Sequence, residues 1–240
     1  MSSYSAYSGS GQDQIDPFDS SDGNIWRKAE YLGRYLFAAD FLRPHRPDLV
    51  ADISCGRGYG AAELASVARR VIGVDGDRSL IEWAKGSFEK DNLTFLYKDL
   101  NEEELYPDIA EGSASAVISF ETLEHLLDPK MALSQFNRIL RPGGFFIASV
   151  PNVLSESADG SGLPRNKSHK NWFNFSSLSR LVRENDMEVI YRLGQSWSRA
   201  LFRREQQLCN ARRLNGRLSD EPIMHRPEMM RWLSYVAAYP

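Results

Sequence analysis

Three aspartates and a run of glycines carry the first chemical signal in this chain. In "VADISCGRGYG" (50–60), Asp52 precedes glycines at 56, 58 and 60; Asp75 ends "RVIGVD" 19 residues beyond Gly56, and Asp99 ends "LTFLYKD". A strand that runs into a glycine turn and opens a helix presents unpaired main-chain N–H groups and lets a ligand touch the backbone directly. Nucleotides are the usual guests of such a turn. The spacing here is G-x-G-x-G, however, and not the G-x-G-x-x-G of dinucleotide sites.

In an open parallel sheet Asp75 would arrive beside the glycine loop, where its carboxylate can accept both hydroxyl protons of a ribose. Asp99 could accept from an adenine amino group. So many anions along one edge would repel a pyrophosphate but would suit a nucleoside that carries a sulfonium and an ammonium. The acid pattern therefore favours S-adenosylmethionine as cofactor. Asp52 is equally suited to capping its own turn, and Asp99 sits in "KDLNEEE", a charged run that solvation alone could explain.

A second set lies in "SFETLEHL" (119–126), which holds Glu121, Glu124 and His125, and in "NKSH" (166–169), which ends on His169. A histidine titrates near neutrality and suits removal of a proton from an acceptor hydroxyl. The plainer readings are a helix-start network for Glu124 and His125 and a solvated loop residue for His169. The two cysteines, Cys55 and Cys209, supply neither a disulfide framework nor a metal cluster, and no metal site is expected. A reducing, cytoplasmic setting follows from that cysteine usage.

The elements that must position these residues alternate short β-branched runs with amphipathic segments, the mark of a parallel sheet flanked by helices. Strands are predicted at 49–54, 70–75, 93–99, 115–120 and 144–150, with a sixth at "MEVIYRLGQ" (187–195) and no convincing seventh. Helices are predicted after the glycines in "AAELASVARR", in "SLIEWAKGSFE", in "PKMALSQFNRIL" behind the cap Asp128 and Pro129, and in "SLSRLVREND". An earlier helix spans 24–44, and "PEMMRWLSYVAAYP" closes the chain with Met230, Leu233 and Ala237 on one side. The Ser-, Gly- and Pro-rich stretch 153–169 reads as a mobile edge of the site.

The chain has 240 residues, 42% of them hydrophobic, which is enough for one large domain with a full core. Its net charge of −3 argues against a general polyanion binder while leaving room for a local basic patch, and nothing in it reads as a signal peptide or a membrane span. Residues 1–23 are expected to be a flexible tail, 24–195 a Rossmann-like domain with an N-terminal helical cap, and 196–240 a helical extension. Between 196 and 231 stand eight arginines against four acids, a local charge of +4. Those arginines fit either the outer face of a helix or recognition of a phosphate or carboxylate on an acceptor.

Taken together, "DISCGRGYG", "VIGVD", "SFETLEHLLDP" (119–129), "RILRPGGFFIASVPN" (138–152) and "NKSHKNWF" (166–173) resemble the class I S-adenosylmethionine-dependent methyltransferases. The resemblance runs from Glu30 to Gln195, about two-thirds of the chain. The helix "EYLGRYLFAADFL" is similar to a segment preceding the glycine loop in a branch that methylates polysaccharide and natural-product precursors, and more distantly in ubiquinone O-methyltransferases. What the resemblance implies is an α/β, Rossmann-like, mostly parallel sheet with helices on both faces. It implies cofactor contacts at Asp52, Ser54, Gly56, Gly58, Asp75, Gly76, Asp99, Leu100 and Glu121, with Glu30 and Arg34 toward the methionine end. It implies His169, with His125 nearby, as the residues handling the acceptor's proton, and S-adenosylhomocysteine as the spent cofactor. The expected reaction is methylation of a small polar acceptor such as a sugar, a nucleotide sugar or another natural-product metabolite, at oxygen before nitrogen or carbon. DNA is disfavoured, because "FETLEH" is not an N-P-P-Y turn. A nicotinamide oxidoreductase and a silent S-adenosylmethionine-binding protein are the rival readings. Ser54 departs from the family, where glycine or alanine is usual.

Overall fold

Parallel strands buried on both faces need continuous apolar runs, and the centre of this sheet has them. The structure, a computed structural model, describes residues 15–19, 25–101, 109–154, 166–195 and 226–238. Five strands, β1 (Leu49–Ile53), β2 (Arg70–Asp75), β3 (Leu93–Tyr97), β4 (Ala114–Phe120) and β5 (Leu140–Ser149), form one sheet in the order β3-β2-β1-β4-β5. Every pairing is parallel. The four-residue core of β1 from Val50 is wholly buried and β4 is buried up to Ser119, whereas β3 and β5 at the two edges are largely half-exposed. The chain leaves β1 toward β2 and β3 on one side, then returns to β4 on the other side of β1. That reversal opens a crevice at the carboxyl ends of β1 and β4.

The helices start where capping chemistry dictates. Asp77 accepts from the backbone N–H groups of Ser79 (2.8 Å) and Leu80 (3.4 Å) and so opens α3 (Arg78–Ser87), after the short α2 (Tyr59–Leu64). Asp128 accepts from Met131 N–H at 2.9 Å and, with Pro129, opens α4 (Pro129–Ile139). Asn174 and Ser177 form a capping box at α5 (Phe175–Arg183). The predicted apolar faces point inward: Ile81 and Ala84 of α3 and Leu133, Phe136 and Ile139 of α4 are fully buried. The last three join Ile53, Ile72, Val74 and Val117 in one core. The helix predicted over 61–70 ends early, at Leu64; the Asn92 side chain holds the turn beyond it by donating to the carbonyls of Ala65 and Ala68.

The sixth strand predicted at 187–195 does not form. Alternation in "MEVIYRLGQ" fits a pleated strand, but a ladder also needs a free partner edge, and this segment pairs with no strand among the described residues. Met187 N–H goes back to the Val182 carbonyl, and Ile190, Tyr191 and Leu193 remain 57%, 68% and 66% exposed.

The chain divides into two compact units, one containing Ala38–Ile190 and the other Ile15–Phe37 with Tyr191–Pro240. The sheet and its helices lie in the first. The second contains most of α1 (Ile25–Leu42) and all of α6 (Pro227–Ala238). Within it Arg34 lies over the Tyr31 ring at 4.7 Å, and Lys28 donates to the Asp19 carbonyl. In α6, Met230 and Leu233 are buried and Ser234 Oγ donates to the Met230 carbonyl. Most of the predicted tail 1–23, most of the 153–169 stretch, and residues 196–225 with the arginine cluster at 199–213 lie outside the described residues. Among the described residues no helix is long and apolar enough to cross a membrane.

Candidate functional site

The glycine loop is held open by its backbone. Ser54, Gly56 and Gly58 all take left-handed φ angles, +65°, +54° and +79°. Cys55 N–H donates to the Val74 carbonyl (3.0 Å) and Gly58 N–H to the Cys55 carbonyl (2.9 Å), so the turn is stitched to β2 before α2 begins. The two glycines do different work. A Cβ on Gly58 would lie 2.6 Å from Phe95 Cζ and 2.9 Å from Ala84 Cβ, so this glycine seals the loop against β3 and α3. A Cβ on Gly56 would meet nothing within 4 Å, which leaves main chain bare toward the crevice.

Asp75 stands where the spacing predicts. Its Oδ2 accepts from Gly56 N–H at 2.8 Å and its Oδ1 from Asp77 N–H at 2.9 Å. A carboxylate has about four lone-pair positions, so these bonds do not exhaust its capacity to accept. Burial pushes the Asp75 carboxyl above its ordinary range, and the backbone bonds from Asp77 and Gly56 partly offset the rise. Asp52 is fully buried within β1, in register with Gly73 and Ile118. Burial raises the Cys55 thiol well above its usual value, with the charges of Asp52 and Asp75 adding to the effect, so this cysteine is a neutral packing group.

Asp99 follows β3 by two residues, and its Oδ1 accepts from the backbone and side-chain nitrogens of Asn101 at 3.0 and 3.1 Å. Asn101 Oδ1 in turn accepts from Leu127 N–H, joining the β3 exit to the β4 exit. A Cβ on Gly76 would sit 3.8 Å from Asp99 Cα, and Leu100 is buried beside them. Glu121, φ +53°, donates its N–H to the Ser149 carbonyl and accepts from Ser149 Oγ at 2.7 Å.

Beyond Glu121 the two predicted histidines meet. His125 and His169 stack edge to face with ring centroids 5.0 Å apart, next to Glu124. His125 Nδ1 faces the Ser168 carbonyl (3.3 Å), and its Nε2 faces Glu124 Oε1 (3.8 Å). Asn166 Oδ1 accepts from Ser168 N–H and Oγ, which turns its amide nitrogen onto His169 Nε2 at 2.8 Å. His169 Nε2 is thus an acceptor, and the proton of the neutral ring sits on Nδ1. The His169 segment is pinned to the Glu124 segment by Lys170 and Asn171 N–H groups on the Glu124 carbonyl and by Asn171 Nδ2 on the carbonyls of Leu123 and Leu126. Sequence reasoning missed Asn101, Ser149 and Asn171. Each is a polar residue whose partner lies 26 to 48 positions away, so no local pattern marks it.

Glu30 and Arg34 belong to the second unit. There Arg34 Nε donates to Gln195 Oε1 (2.8 Å), and Gln195 Nε2 donates to the Glu30 carbonyl (3.0 Å).

A family model described as a methyltransferase domain matches residues 51–148, from the glycine loop to the end of β5. The ubiquinone biosynthesis O-methyltransferase of Cereibacter sphaeroides is 30% identical over 202 residues, covering 74% of this chain and 79% of its own length. This chain belongs to the S-adenosylmethionine-dependent methyltransferases. A "probable S-adenosylmethionine-dependent methyltransferase" of Mycolicibacterium smegmatis is 36% identical over 60% of this chain and 54% of its own. This methyltransferase chain spans about half the length, or less, of the first curated relatives it matches. The crystal structure of an S-adenosylmethionine-dependent methyltransferase from Mesorhizobium loti superposes with a TM-score of 0.57 at 16% identity, over 76% of this chain and 91% of that one. The fold is shared even at that low identity.

Proposed function

We propose that this methyltransferase binds S-adenosylmethionine across the glycine loop and moves its methyl group to an oxygen of a small polar acceptor. The observation that carries the reading is Asp75. Backbone N–H groups, those of Gly56 and Asp77 among them, hold its carboxylate in place at the loop, and its remaining acceptor capacity suits ribose hydroxyls. Gly56 lets the cofactor approach main chain, Asp99 with Gly76 and Leu100 takes the adenine side, and Ser54, Gly58 and the backbone at Glu121 border the amino-acid portion. Asp52 adds negative charge under the sulfonium.

In the transfer the S–CH3 bond breaks as an O–CH3 bond forms, the sulfonium becomes the neutral thioether of S-adenosylhomocysteine, and the acceptor hydroxyl loses a proton. The cofactor supplies the leaving group, so the protein's part is alignment and proton removal. We assign the proton to the cluster of His169 and His125. Oxygen as the methylated atom is supported by the O-methyltransferase relatives. The test is incubation with methyl-labelled S-adenosylmethionine and a panel of sugar nucleotides, phosphorylated metabolites and phenols, followed by mass detection. A gain of one methyl on an acceptor oxygen supports the reading; a methylated nitrogen or carbon, or no transfer across the panel, overturns it.

A further inference from the structure

We propose that Asn101 is a positioning residue that ties the adenine end of the cofactor site to the turn carrying His125, so that a bound cofactor steadies the acceptor side. Asp99, just beyond β3, takes two bonds from this one residue: its Oδ1 accepts from Asn101 N–H at 3.0 Å and from Asn101 Nδ2 at 3.1 Å. The other end of the same amide reaches the β4 exit, where Asn101 Oδ1 accepts from Leu127 N–H at 3.0 Å. One side chain thus spans from the carboxylate assigned above to the adenine to the turn assigned to the acceptor. The inference rests on that reading of the two ends and deepens it.

The chemistry of a primary amide makes the tie directional. Its nitrogen donates and its oxygen accepts; here the donor end meets the Asp99 carboxylate and the acceptor end meets a backbone N–H. Turning the amide over would set oxygen against carboxylate and nitrogen against N–H, so the two side-chain bonds stand or fall together. They also reinforce each other, because a charge-assisted bond at Nδ2 polarises the amide and makes Oδ1 a better acceptor. An adenine amino group that donates to Asp99 fixes the carboxylate and covers the Asn101 bonds from water. The strengthening then passes along the amide to Leu127 N–H.

Leu127 is the point at which the tie acts. Its side chain is 63% exposed, so packing does little to hold this end of the turn and the backbone bond to Asn101 carries more of the work. The other side of the turn is fastened by Asn171, whose Nδ2 donates to the carbonyls of Leu123 and Leu126 at 3.3 and 2.7 Å. Within the turn His125 N–H donates to the Thr122 carbonyl at 2.9 Å. His125 therefore sits on a turn fastened on one side to the segment that carries His169 and on the other, through Asn101, to Asp99. By linkage, a cofactor that steadies this turn raises affinity for the acceptor, and the acceptor raises affinity for the cofactor by the same factor.

The test is amide hydrogen exchange resolved residue by residue in the full chain, with and without S-adenosylhomocysteine, while calorimetry reports separately that the ligand is bound. In the wild type, saturating ligand is expected to slow exchange at Leu127 by at least about fivefold, the lower end of ordinary coupling between sites. Asn101→Ala removes both ends of the tie: Leu127 should exchange faster without ligand, and bound ligand should slow it less than about twofold. Asn101→Asp keeps an oxygen for Leu127 N–H but sets an anion against Asp99, so protection without ligand should persist while the gain on binding is lost. A purely structural role for Asn101 would change the rate without ligand and leave that gain intact. A gain that survives in both variants, or no gain in the wild type while calorimetry shows binding, overturns the tie and leaves the proposed function standing. A wild type that does not bind the ligand at all overturns the proposed function and the tie with it.

Discussion

Gly58→Ala should be costly for a reason separable into two parts. Alanine at φ +79° carries a left-handed backbone penalty of about 1–2 kcal/mol. Its methyl would also stand 2.6 and 2.7 Å from two atoms of the buried Phe95 ring, and overpacking of this kind costs about 1–3 kcal/mol. The expected loss is therefore about 2–5 kcal/mol, or roughly 4–20 °C in melting temperature for a domain of this size. Urea unfolding of a double-mutant cycle with Phe95→Leu isolates the steric part. The cost of Gly58→Ala should fall by about 1–2 kcal/mol in the Phe95→Leu background, while the backbone part persists. Gly56→Ala is the counterpart. At φ +54° with no atom within 4 Å of the new methyl, it should cost only the backbone part, about 1–2 kcal/mol, yet weaken S-adenosylmethionine binding at least about tenfold by filling the space where the cofactor meets main chain. A Gly58→Ala loss below about 1 kcal/mol, no relief from Phe95→Leu, or unchanged cofactor affinity in Gly56→Ala would refute this division of labour.

Other outcomes follow from the same geometry. His169→Ala should keep cofactor affinity and slow turnover at least about tenfold, measured as initial rate against calorimetric affinity; equal rates would remove His169 from the proton path. Ser54→Gly relieves a φ of +65° and should be neutral or stabilising by up to about 1 kcal/mol in urea, so a loss of more than that contradicts the strain at Ser54. For pH, burial raises the Asp75 carboxyl in the folded state. Its stabilising contribution is complete below the ordinary carboxylate range and is lost as pH rises through the raised value, whereas affinity for the cofactor's hydroxyls needs the ionised form and grows over the same interval. Urea stability and cofactor affinity, followed upward from about pH 4, should thus carry opposite Asp75-dependent slopes, absent in Asp75→Asn. Parallel slopes would contradict the assignment.

How far the sequence reveals the fold depends on whether a signal is local. The interval from Gly56 to Asp75 is a property of one strand-turn-helix-strand unit, and the carboxylate does lie beside the loop, where it accepts from Gly56 N–H, a bond the spacing alone did not foretell. Asp128 before Pro129 likewise acts within four residues, and the cap forms. Val189, Tyr191 and Leu193 alternate as a strand should, but alternation says nothing about whether a neighbouring edge exists, and the segment stays unladdered. The histidine cluster shows both sides. Its members stand in legible motifs, yet the hydrogen bonds that join Asn166 to His169 and Asn171 to the Glu124 loop depend on two segments meeting in space. The strain at Ser54 shows in the sequence only as a departure from the usual glycine or alanine, and its φ angle supplies the reason that glycine is favoured there.

Calorimetric titration of S-adenosylmethionine into the wild-type chain and into Asp75→Ala bears most directly on the account. Hydrogen bonds to a charged group contribute about 1.5–3 kcal/mol each, so one-site binding by the wild type and a loss of at least about tenfold in the variant are expected. No heat with the wild type, or equal affinity in the two proteins, would contradict it.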